Sequence, residues 1–75
     1  METEPGLLVV LEGDAIVVTL AGTSYSVTYR KTPDVPWLVA SNIINDPDSP
    51  VSKFTFRARA WIAANEKARE LGWIT

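Results

Sequence analysis

The sequence predicts an α+β domain: an antiparallel β-meander of three to four strands with one C-terminal α-helix packed across one face, in the order β-β-β-β-α. Three observations predict it. Two glycine-led turn signals, Gly13-Asp14 and Gly22-Thr23, separate three apolar runs rich in β-branched residues. Two stretches dense in proline and aspartate, Thr32-Pro33-Asp34-Val35-Pro36 and Asn45-Asp46-Pro47-Asp48-Ser49-Pro50, punctuate the middle of the chain. From about Thr55 onward, the apolar period lengthens from that of a strand to that of a helix.

Reading both glycine signals as two-residue type II′ turns fixes the strand register. Across the first turn Leu11 faces Ile16, Val9 faces Val18 and Leu7 faces Leu20. Across the second, Leu20 faces Tyr25, Val18 faces Val27 and Ile16 faces Tyr29. The two registers agree in gathering these large side chains on one face, and a slip of one residue would undo the agreement. Ser24, Ser26, Thr28, Arg30, Thr19 and Ala15 fall on the other face, together with the aliphatic Leu8, Val10 and Val17.

Residues 37–41 predict a short fourth strand, with either Trp37 and Val39 or Leu38 and Ala40 turned inward. The helix is expected to start at Thr55 as N-cap, with Phe54 before it. At 100° per residue, Trp61, Ala64, Ala68 and Leu71 share a stripe with Ala60 at its edge, while Arg59, Glu66 and Glu70 lie opposite. On this reading Trp61 supplies most of the bulk against the sheet. Gly72 ends the helix in a left-handed conformation and Trp73 folds back on the last turn. The 75 residues form a single domain, with residues 1–6 expected to be a frayed tail.

Composition narrows the chemistry. The chain has neither cysteine nor histidine, which excludes thiolate and imidazole zinc sites, dithiol redox chemistry and Ser-His or Cys-His nucleophilic catalysis. Ser52-Lys53 is the one local pair with catalytic residue types, and neighbours on a strand point to opposite faces. Asn45, Asp46 and Asp48 lack the further ligands and the closing glutamate of a calcium loop. The expectation is therefore a non-enzyme with no catalytic residue, no metal and no cofactor. No apolar run reaches the roughly 20 residues of a membrane helix, and the acidic start differs from a secretory leader, so no membrane association and a cytoplasmic location are expected.

Charge is distributed unevenly along a chain of net charge −2. The first 29 positions hold Glu2, Glu4, Glu12 and Asp14 and no basic residue, whereas all seven basic residues lie from Arg30 to Arg69. The meander places Glu12, Asp14 and Asp34 at one end of the sheet, an acidic rim suited to a basic partner surface. Leu8, Val10 and Val17 make a candidate association patch on the outer face. It would serve a protein partner, or a second copy pairing through the first strand.

Two resemblances rest on these residues. Tyr25-Ser26-Val27-Thr28-Tyr29-Arg30-Lys31 as a strand, and Phe54-Thr55-Phe56 leading into an Ala/Arg helix with Trp61 inward, resemble the plan of AP2-like and integrase arm-type DNA-binding domains. That resemblance implies nucleic-acid contacts by Ser26, Thr28, Arg30 and Lys31. The chain departs from those basic families in its acidic pI of about 4.9. In size and composition it also resembles the small proteins of phages and mobile elements, the anti-CRISPR proteins among them. This second resemblance implies stoichiometric binding to a host protein or nucleoprotein complex, through Glu12, Asp14, Asp34, Leu8, Val10 and Val17.

Overall fold

A computed structural model describes residues 6–74. Four strands, β1 (Leu7–Glu12), β2 (Ala15–Leu20), β3 (Ser26–Lys31) and β4 (Leu38–Ile44), precede one helix, α1 (Lys53–Leu71). The strands form one antiparallel sheet in the order β1-β2-β3-β4, so β1 and β4 are its edges. This is the expected β-β-β-β-α meander. Among the described residues no helix is long and apolar enough to cross a membrane. Most of the predicted tail lies outside the described residues. Gly6, its last member, is tied into the sheet, because its carbonyl accepts the amide of Ala21 at 2.7 Å.

The register read from the turns holds at every pair within the strands: Leu7↔Leu20, Val9↔Val18 and Leu11↔Ile16, then Ile16↔Tyr29 and Val18↔Val27. Gly13, at φ 60° with no other residue of that turn at positive φ, fits the type II′ turn. The second turn differs in kind. The Thr23 amide bonds the Leu20 carbonyl at 3.2 Å, so Ala21 and Gly22 are the central residues, with Gly22 third at φ 80°. That position in a type II turn demands a positive φ. Register survives because Thr23 Oγ1 accepts the Tyr25 amide at 3.1 Å and donates to the Leu20 carbonyl at 2.8 Å, closing a longer loop in the same alignment.

The fourth strand runs three residues beyond its predicted end. Leu38 and Ala40 turn toward the helix side, paired with Lys31 and Tyr29, while Val39 turns away opposite Arg30. A bulge between Thr28 and Tyr29 absorbs one extra β4 residue. Ser41, whose hydroxyl donates to the Thr28 carbonyl at 3.3 Å, lies there. Beyond it the alternation inverts, so Ile43 faces inward and Asn42 and Ile44 outward.

Helix α1 begins three residues earlier than expected. Ser52 is the N-cap in place of Thr55, its hydroxyl accepting the Thr55 amide at 3.1 Å. Phe56 thereby shifts from the first helical position to the fourth, and it is the largest buried residue of the helix, at 1% exposure. Ala60, Ala63, Ala64 and Ala68 complete the buried stripe. Trp61 is 41% exposed, so it borders the core instead of filling it. The stripe is centred one helical step from where the tryptophan suggested. Its alanines let α1 lie close on β2, with β1 and β3 at its flanks.

Phe56 stacks on Tyr25 with ring centroids 4.7 Å apart. The Tyr25 hydroxyl donates to the Val51 carbonyl at 2.6 Å, which fixes the approach to the helix. At the other end Gly72 adopts φ 80°, and the amides of Gly72 and Trp73 bond the carbonyls of Arg69 and Ala68, as predicted for a glycine stop. Trp73 and Ile74 pack against the core edge.

Candidate interaction surfaces

Three surfaces are built by this fold, and the acidic end is the simplest. Glu12 and Asp14 bracket Gly13 in the β1–β2 turn, and Asp34 lies in the turn after β3. Asp14 is answered by Arg30, whose guanidinium donates to it at 2.8 Å, and Lys31 joins Asp14, Gly13 and Trp73 around a surface hollow. Among the described residues no three carboxylates converge closely enough to share a cation. The rim is therefore spread and of mixed sign, with Glu12 and Asp34 as the acidic groups outside the ion pair.

The outer sheet face is the second surface. Cross-strand pairing lays it out in rows. Leu8, Thr19, Ser26 and Ile44 form one, and Val10, Val17, Thr28 and Asn42 the next. These eight positions carry no formal charge. The third row, Glu12, Ala15, Arg30 and Val39, brings charge only at the border. Leu8, Val10 and Ile44 are about half exposed. The structure thus brings Leu8, Val10 and Val17 together as the sequence implied, and extends their patch across β3 and β4. Of the four residues singled out for nucleic acid, Ser26, Thr28 and Arg30 share this face. Lys31 does not: it pairs with buried Leu38 on the opposite face, and its ammonium donates to the Thr32 carbonyl.

The third surface escaped the sequence reading. On α1, Phe54, Ala58, Trp61 and Asn65 recur at helical spacing as a second, exposed stripe. Trp61 packs on Tyr29 at 5.7 Å, which turns this stripe toward the β3–β4 side of the helix. There β4 is buried only at Leu38, leaving Ala40 and Ile43 uncovered beside it. Burial pushes the Tyr29 hydroxyl above its usual pKa, and the nearby Arg57 guanidinium pulls it down. The signal in the sequence was the recurrence of Phe54 seven residues before Trp61, hidden because a large aromatic reads as core.

No protein-family model, no curated protein and no solved structure matches the chain.

Proposed function

We propose that this chain is a non-enzymatic protein-interaction module that binds a larger protein or nucleoprotein complex stoichiometrically, in the manner of a small phage-type inhibitor. One observation carries the proposal. Among the described residues ten large hydrophobic side chains are exposed while nine are buried, so bulky apolar residues at the surface outnumber those in the core. Contiguous patches of that kind mark association sites. The outer sheet face is the best-formed of them, being uncharged in its two central rows and bordered by Glu12 and the Arg30–Asp14 ion pair.

The alternative, nucleic acid lying on that face, is less well supported. Phosphate neutralisation needs several cations, and Arg30 is the one basic residue in its three rows, already engaged by Asp14. The test places charge at the centre of the face, away from the sheet edges. In a pull-down with nuclease-treated lysate of the source organism, V17K/T28K should lose the protein partners that the parent retains, with unchanged circular dichroism. Equal capture by parent and variant overturns the proposal, and so does a parent that retains partners from untreated lysate and loses all of them after nuclease.

A further inference from the structure

We infer that β1 is the pairing edge of a two-fold homodimer, in which two copies join their sheets into one of eight strands. The observation is a contrast between the two edges of the sheet. An open strand edge templates unwanted pairing, and proteins blunt it with lysine, proline, bulges or covering segments. Strand β4 carries a bulge at Ser41 and a polar Asn42. Strand β1 pairs with β2 without a bulge and has no polar residue before Glu12; a proline stands two positions before each strand, so proline does not distinguish the edges. Leu7, Leu8, Val9, Val10 and Leu11 run without interruption, and Leu8, Val10 and Leu11 are exposed at 53%, 48% and 43% on both faces of the sheet.

The occupant is set by parity and charge. Gly6 bonds Ala21 across the β1–β2 pair, so the even-numbered residues of β1 direct their amides and carbonyls to β2, and Leu7, Val9 and Leu11 direct theirs to the open edge. An antiparallel copy centred on Val9 pairs Val9 with its counterpart and Leu7 with Leu11 of the second copy. That register uses every outward donor and acceptor of these three residues. It also sets Leu8 beside Val10 of the other copy, joining the two aliphatic patches. The two Glu12 carboxylates fall at opposite ends of the joint, so no like charges meet. A shift by two residues in either sense leaves outward groups without a strand partner.

Pairing also changes the scale of the outer face. Four strands about 4.8 Å apart and some 20 Å long present roughly 400 Å², half of the about 800 Å² per partner of a standard interface. Two joined sheets reach that size. The pairing itself stands independently of the partner reading.

The experiment is light-scattering mass measurement on the parent chain with the variants V9P and L11K. The parent should have twice the 8.2 kDa chain mass. Proline at Val9 removes an edge-facing amide and no β1–β2 bond, so V9P should be monomeric with its sheet intact. Should V9P fail to fold, L11K, which puts a charge beside Leu7 of the other copy, should give the same halving. A monomeric parent at about 100 μM overturns the inference, as does a dimer that persists in the folded variants. V17K/T28K should stay dimeric, which separates failure of this inference from failure of the partner reading.

Discussion

Phe56 and Trp61 lie on one helix five positions apart, yet they do different work. Phe56 is enclosed and stacked on Tyr25, so F56A should cost about 3–5 kcal/mol, a large share of the stability of so small a domain. W61A keeps the alanine stripe and removes a ring that is already 41% in water; it should cost less than half as much in a urea denaturation. Tyr29 supplies a pH dependence of definite sign. Its folded-state pKa is raised above 10.0 by burial, so the native state holds the phenolic proton more tightly than the unfolded chain. The resulting stability is complete below pH 10 and is lost as pH rises through the folded value. The melting temperature should therefore fall on the alkaline side, with a smaller fall in Y29F.

At the scale of elements, the sequence disclosed more of the sheet than of the helix, for a physical reason. Strand register is overdetermined: two turns and a period of two had to agree on Ile16, Val18 and Leu20, and one type II turn in place of a type II′ left the alignment unmoved. The helix offered a single stripe, and the one cap read for it, Thr55, lies three residues after the true cap, Ser52. Ser52 and Thr55 are both residue types that cap helices, and their hydroxyls bond each other at 3.0 Å; Ser52 takes the cap in the fold in which Phe56 stacks on Tyr25. S52A should accordingly cost about 1 kcal/mol, and T55A distinctly less, by thermal melting. The β4 facing was undecidable for a related reason, since Trp37 and Val39 form as apolar a set as Leu38 and Ala40 and alternation alone does not say which meets the helix. The outer-face residues Leu8, Val10 and Val17 were legible from alternation alone. The exposed helical stripe was not, because period cannot tell which of two apolar stripes meets the sheet.

For the molecule as a whole, two unlike layers share one small core. The helix covers β2 and its neighbours and leaves β4 exposed beyond Leu38, while among the described residues no helix or second sheet packs on the far side of the sheet. The excess of outward apolar surface is a consequence of that layout. In a chain this short one helix of about 10 Å diameter cannot roof four strands, so either the bare surface stays wet or a partner covers it.

The meander has one consequence in time. Each strand pairs only with its neighbour in sequence, across short connections, so the sheet can assemble hairpin by hairpin with little chain entropy lost at each closure. Helix α1, by contrast, must find β1 across most of the chain. Such a topology belongs to the faster half of mixed folds, with early hairpins waiting for a late lid. During that wait both faces of the nascent sheet are bare. The aliphatic β1 is then most vulnerable to meeting another chain, and encounter with its own copy would compete with aggregation before the helix has docked.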